Sequence, residues 1–241
     1  MPLMQKLASG AQKLGLELTT QQLDQFQAYY DELTDWNRRM NLTAITDYAE
    51  VQIKHFLDAL TVVLVLEKPL TDSIRVLDVG TGAGIPGVPL KIVFPEIRLA
   101  LLDATAKKAD FLQYLTQHLR LSDVEVVVGR AEEVAHDERY REQFDLVLSR
   151  AVARLPALTE LTLPFCVVGG WFIAMKKGKI DPEVRQAGRA IELLGGVLHG
   201  VVKVELPEFD DERCLIVVDK LSPTPRQYPR RPGIPEKRPL R

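Results

Sequence analysis

The sequence predicts a doubly wound α/β fold: a mostly parallel sheet of seven strands, the last two paired as a hairpin, with a small helical lobe ahead of it. Three observations carry this expectation. Short apolar runs, the first of them β-branched, alternate with segments of helical period after residue 70, a glycine-rich turn closes the first run, and the final two runs have no helix between them. Strands alternating with helices imply βαβ units and a parallel sheet covered on both faces.

Residues 1–70 form the expected lobe. Leu14, Leu18, Leu23, Phe26, Tyr30 and Leu33 recur at helical spacing, and Thr20 marks a capped start. Trp36-Asn37-Arg38-Arg39-Met40-Asn41 reads as an exposed basic break, and a second helix follows from about residue 48 to 66, ending at Lys68-Pro69. Residues 71–221 carry the expected strands at 74–79, 98–102, 124–128, 144–148, 171–175, 196–206 and 214–218. Helices fill the gaps, among them residues 106–119, with Phe111, Leu112, Leu115 and Leu119 on one face, and residues 181–194. Only residues 207–213 join the last two runs, which therefore pair as an antiparallel edge hairpin. Six prolines in residues 222–241 favour an extended or docked tail over a helix.

The 241 residues, 46% of them hydrophobic, suffice for the core of one domain with appendages or of two small domains. The two cysteines fit neither a disulfide framework nor a zinc cluster and imply a reduced compartment. Cys166 is expected mid-helix and Cys214 in a strand, both as small core residues. The first twenty residues hold no continuous apolar segment, and the longest largely apolar run, residues 59–66, is far too short to span a bilayer. A cytoplasmic protein without membrane contact is expected, and no metal site is suggested. Arg226, Arg230, Arg231, Lys237, Arg238 and Arg241 face one acid, Glu236, in the tail. The tail therefore carries +5 and the preceding residues −7 of a total of −2. Such a tail fits a phosphate-backbone contact and a solubilising terminus equally well.

The most informative segment is Val76-Leu77-Asp78-Val79-Gly80-Thr81-Gly82-Ala83-Gly84. Glycines behind a strand let the backbone turn sharply and approach a ligand, and the next helix offers its free N–H groups there. Gly82, Gly84 and Gly87 also match the G-x-G-x-x-G dinucleotide pattern, and Asp103 lies where either a dinucleotide or S-adenosylmethionine would place an acid on its ribose hydroxyls. The loop alone therefore leaves both cofactors open. Three features favour S-adenosylmethionine. Asp78 sits inside the strand end, able to fix the loop and face an amino group; Pro86 and Pro89 disturb the regular first turn that a pyrophosphate needs; and a terminal hairpin is expected of methyltransferases.

Ligands of open α/β sheets bind outside the carboxyl ends of the strands. Asp103-Ala104-Thr105, Arg130-Ala131-Glu132 and Ser149-Arg150 all fall there. Glu132 suits an adenine amino group and equally a helix-start acid stabilised by the dipole. Arg150, Arg154, Lys176 and Lys177 stand at strand ends as phosphate contacts or loop anchors. Arg38 and Arg39, with Trp36 and Asn41, make a further candidate RNA frame. His55 and Asp58 share a helix face and read as a buried, hydrogen-bonded pair closing the lobe over the sheet.

With these residues in place, the sequence resembles the 16S ribosomal RNA guanine-N7 methyltransferases, long called glucose-inhibited division protein B. The resemblance runs from about Trp36 to Val218. It rests on Met40-Asn41-Leu42-Thr43, His55-x-x-Asp58, the glycine motif extended through Ile85-Pro86-Gly87, Leu102-Asp103, Ala131-Glu132, Ser149-Arg150-Ala151 and Ala174-Met175-Lys176. It implies a Rossmann-like class I methyltransferase sheet and transfer from S-adenosylmethionine to N7 of one guanosine in the 530 stem-loop of 16S RNA. It further implies cofactor contacts at Gly80, Ile85, Asp103, Ala104, Thr105, Ala131, Glu132 and Arg150. Lys177 adds a second lysine to the family's one, and the tail after Leu221 exceeds the family core.

Guanine N7 already presents a lone pair, so the implied chemistry needs no catalytic base, only alignment. A methyltransferase acting on a small molecule or protein is the alternative, sharing the cofactor site without the RNA frame. A monomer acting on 16S RNA or the small ribosomal subunit is expected.

Overall fold

A computed structural model describes residues 4–66, 70 and 74–240. The expected helix end at Lys68-Pro69, the start of the second unit at residue 71 and Arg241 lie outside them. The chain opens with α1 (Gln5–Lys13) and α2 (Thr20–Met40). The cap of α2 is Thr19 rather than Thr20, because Gln22 lies three residues on and completes a capping box. The expected break at residues 36–41 is corrected as well. Trp36 packs on Phe111 and Tyr114, with ring centroids 5.5 and 5.3 Å away, which holds the helix together as far as Met40. The chain turns only at Asn41, whose φ of 51° asparagine tolerates.

The second lobe helix is continuous but irregular. It comprises α3 (Tyr48–Val51), one π turn (Gln52–Leu57), α4 (Asp58–Leu60) and a 3-10 turn (Thr61–Val65). Gln52, His55, Phe56, Leu57 and Asp58 are all buried, since this helix is wedged between α1 and the sheet. The Gln52 side chain accepts from the Lys6 and Leu7 N–H groups, satisfying the start of α1.

The remaining elements alternate: β1 (Arg75–Val79), α5 (Gly87–Val93), β2 (Arg98–Asp103), α6 (Ala106–His118), β3 (Val124–Val128), α7 (Ala131–Val134), β4 (Phe144–Arg150), α8 (Leu155–Thr162), β5 (Cys166–Lys177), α9 (Asp181–Leu193), β6 (Gly196–Lys203), β7 (Arg213–Lys220) and α10 (Ile234–Lys237). The strands form one sheet in the order β3-β2-β1-β4-β5-β7-β6. Only β7 runs antiparallel, inserted between β5 and the edge strand β6. Cys166 corrects the mid-helix expectation: it starts β5 opposite Phe144 and is buried. The strand expected at 171–175 thus begins five residues earlier, and Gly169-Gly170 lies within β5, where the register against β4 shifts. A Cβ on Gly170 would stand 2.7 Å from the Asp145 carbonyl, so the backbones approach there as only glycine permits.

Alternation along the strands builds two cores. Val76, Leu101, Leu146 and Ile173 face the lobe, where Phe26, Tyr29 and Phe56 cover them. Leu77, Val147, Phe172 and Ile216 face α8 and α9. The proline-rich tail is docked against the body and adds the short α10. Buried Arg141 donates to the carbonyls of Thr224 and Tyr228, at 2.8 and 2.9 Å, and Arg230 pairs with fully buried Glu160 at 2.6 Å. No helix among the described residues is long and apolar enough to cross a membrane.

Candidate functional site

The turn after β1 is held from three sides. The N–H groups of Gly80 and Thr81 both donate to the Leu102 carbonyl of β2, at 2.8 and 3.1 Å. Gly80 has φ +70°, and a Cβ there would lie 2.3 Å from Val152, so the turn and the loop after β4 touch where only glycine fits. The Tyr29 hydroxyl donates to the Ala83 carbonyl at 2.5 Å, gripping the turn from the lobe. Helical spacing pointed to Tyr30 and gave no signal for Tyr29.

Two strand-end acids complete the mount. Asp78 is fully buried, and its Oδ2 accepts from the Thr81 hydroxyl at 2.7 Å and the Gly87 N–H at 2.9 Å. Its Oδ1 has no hydrogen-bond partner among the described residues, and burial pushes its pKa up to about 6. Asp103 accepts from the Gly82 N–H at 3.0 Å through Oδ2 and from the Thr105 N–H at 2.9 Å through Oδ1.

Beside this mount lies a cleft of about 140 Å³ that collects Gly80, Asp103, Ala104, Ala131 and Glu132 with Val152. The remaining candidates do not line it: Asp78 lies in the end of β1, Gly82, Gly84 and Thr105 belong to the loops, and Ile85 is buried in the core on the lobe side. Two lining residues carried no sequence signal. Gly233 and Glu236 of the tail form part of the wall, and the Gly233 N–H donates to Glu132 Oε1 at 2.8 Å.

Arg150 is turned away, into a second cleft of about 350 Å³ between the ends of β4 and β5, the start of β7 and the lobe. Because β7 runs antiparallel, its first residues reach the carboxyl edge of the sheet, where Arg213 lies opposite Lys177. Asp58 binds Arg150 through Oδ2 at 2.8 Å and Arg213 through Oδ1 at 2.6 Å. Arg150 also donates to the Lys54 carbonyl at 2.9 Å and lies 3.3 Å from His55 Nδ1. His55 and Asp58 are thus both buried, but Arg150 joins them rather than a direct bond, which corrects the expected pair. Burial, aided by the Arg150 charge, pushes the His55 pKa down to about 4, so its imidazole is neutral at pH 7. Arg213, buried beneath Phe209, also donates to Asp211 at 2.6 Å, and it escaped sequence reading because the carboxylate it shares with Arg150 lies in another element.

Lysines and arginines at Lys54, Arg150, Lys176, Lys177 and Arg213 line this cleft, against a single acid, Asp58. Lys176 donates to the Ala153 carbonyl at 2.6 Å and pairs with Glu183 at 3.0 Å, as a loop anchor does. Lys177 is half exposed and pairs with Asp211 at 3.0 Å. Arg154 is exposed near Glu183, at 4.0 Å. Arg38 and Arg39 are exposed on the last turn of α2, both facing Asp35, ahead of the segment that brings Thr43 onto His55 and Ile45 to the cleft. The two clefts meet at the loop after β4: Ala151 lines one, and Val152 the other.

The family model described as rRNA small subunit methyltransferase G matches residues 22–213. The chain is 52% identical to the ribosomal RNA small subunit methyltransferase G of Dehalococcoides mccartyi strain CBDB1, over 98% of this chain and 100% of that protein. It is 47% identical to the protein of the same name from Lachnoclostridium phytofermentans, over 96% of this chain and 95% of that one. Among solved structures, it is similar to a precorrin-6y C5,15-methyltransferase from Geobacter metallireducens GS-15. The TM-score is 0.51 at 16% identity, over 68% of this chain and 87% of that one, a likeness of fold.

Replacing Asp58 by Ala leaves two buried guanidiniums without their shared carboxylate and should lower stability by about 3–5 kcal/mol in urea denaturation. Acid should weaken the fold through His55. Below about 6.5 the unfolded imidazole takes up a proton that the folded one refuses until about 4. Stability therefore falls across that window, by up to about 1.4 kcal/mol per pH unit. His55→Gln should flatten the dependence, as denaturation midpoints at several pH values will show.

Proposed function

The chain belongs to the rRNA small subunit methyltransferase G family, and we propose that it moves the methyl group of S-adenosylmethionine to N7 of a guanosine in the 530 stem-loop of 16S ribosomal RNA. It acts as a cytoplasmic monomer on the RNA or the small ribosomal subunit. The supporting observation is the pair of clefts meeting at one loop, one mounted on the glycine turn with acids around it, the other lined by five cationic side chains and one acid. The motif from Gly80 to Gly87 and Ser149-Arg150-Ala151 support the finer assignment by resemblance.

The residues of the first cleft fit the cofactor. Asp103 and Glu132 are acceptors suited to ribose hydroxyls and an adenine amino group, and the turn is one that only glycines can form so close to Val152. When bound, S-adenosylmethionine supplies a methyl group already activated by its sulfonium. Guanine N7 has no proton to lose, so the protein's contribution is alignment, which can account for roughly 7–11 kcal/mol of barrier. Neutral His55 is tied to Thr43 and Arg150, and it positions the cleft's edge rather than carrying a proton. Ser149 donates to the Val79 carbonyl at 2.9 Å, locking the end of β4 to the glycine turn so that both clefts keep one spacing. Lys177 can exchange the exposed Asp211 carboxylate for a phosphate at small loss. Arg38, Arg39 and Arg154 frame a folded RNA loop, which proteins recognise by shape and splayed bases.

Incubation with labelled S-adenosylmethionine and small subunits or naked 16S RNA, followed by chemical mapping, should find N7-methylguanosine at one site in the 530 loop. Label confined to another RNA position, or to protein, would overturn the assignment. Lys177→Ala should weaken RNA binding and reduce its salt slope by about 0.7–0.9, the share of one phosphate contact, leaving S-adenosylhomocysteine affinity unchanged.

A further inference from the structure

The tail meets the body through groups that cannot be left alone. Glu160 is fully buried, and among the described residues its carboxylate accepts only from Arg230: the backbone N–H at 2.8 Å, Nε at 2.9 Å and Nη2 at 2.6 Å. Buried Lys220 donates to the Leu163 and Leu194 carbonyls and to the Thr224 hydroxyl, and buried Arg141 to tail carbonyls. A buried charge that takes partners from a segment commits the fold to keeping that segment in place. Residues 224–230 are therefore a fixed strap.

Beyond the strap the chain turns at Gly233, φ +78°, buries Pro235 and presents Glu236 to the first cleft. The Gly233 N–H occupies Oε1 of Glu132, whose Oε2 has no hydrogen-bond partner among the described residues. Asp103, Glu132 and Glu236 thus border one small cleft, with Arg130 its single lining cation. Acceptors in that arrangement suit the hydroxyls and amino group of an adenosine and repel a phosphorylated nucleotide. The family model ends at Arg213, before any of this wall.

We propose that residues 233–236 form the outer wall of the adenosine pocket, with Glu132 holding the wall through one oxygen and the nucleoside through the other, and Glu236 as a further acceptor. This rests on assigning the cleft to S-adenosylmethionine. Ending the chain after Arg231 keeps the strap and removes the wall. Calorimetry should then show S-adenosylhomocysteine binding at least tenfold weaker, with faster release, while the ligand-free melting temperature stays near that of the full chain. Equal affinity would overturn the proposal. Should the shortened chain fail to fold, Glu236→Gln in the full chain decides the matter: at least threefold weaker binding is expected, and unchanged binding overturns it. Failure of the unmodified chain to bind S-adenosylhomocysteine would instead overturn the assignment of the cleft, and the proposal with it.

Discussion

The carboxylate of Asp58, shared between the guanidiniums of Arg150 and Arg213, ties together three elements far apart in the sequence: the start of α4 in the lobe, the end of β4 and the start of β7. All three side chains are largely withdrawn from water, where an unpaired charge is strongly disfavoured, so each fixes the other two. The floor of the cationic cleft is therefore rigid, and its charge divides into two classes. Arg150 and Arg213 are committed inward. Lys54 and Lys177 pair at the rim with the more exposed Glu50, Asp210 and Asp211, contacts weak enough for a polyanion to displace. A surface built this way can bind RNA without reorganising its interior.

Local chemistry made most of the scaffold legible. Every strand was foreseen from short apolar runs, β3 to the residue, and the hairpin followed from the missing helix before β7. The misses share a cause. Trp36 looked like an exposed break because its stacking partners, Phe111 and Tyr114, lie some seventy-five residues away. Cys166 and Gly169-Gly170 were separated from β5 because a bulge interrupts the period-two pattern used to find strands. The site divides likewise. The glycine turn and its acids are contiguous motifs, visible in one dimension. Arg213, Tyr29, Gly233 and Glu236 act through tertiary neighbours and have no spacing to betray them.

The charge asymmetry between tail and body acquires a different meaning in three dimensions. Arg226 pairs with Glu138 and Arg230 with Glu160, so two of the tail's cations neutralise acids of the body instead of waiting for phosphate. Opposite signs on the two segments draw the tail down, and fully buried Glu160 then decides where it lies. Proline favours this use: a chain with fixed φ loses less entropy on docking than a flexible one.

The loop after β4 fixes how the two clefts sit beside each other. Ser149 is anchored to the Val79 carbonyl, Val152 packs against Gly80, and Lys176 holds the Ala153 carbonyl. Between these fixed points Ala151 adopts φ +58°, a conformation that costs a non-glycine residue roughly 1–2 kcal/mol and persists only where the surroundings impose it. That turn sends Arg150 and Ala151 to the cationic cleft and Val152 to the other. Under the proposed function, methyl transfer depends on the distance and direction between donor and acceptor, so the backbone between the two clefts is where the reaction needs rigidity. The strain at Ala151 sits where such a reaction requires rigidity, and the three anchors around it are what sustain it.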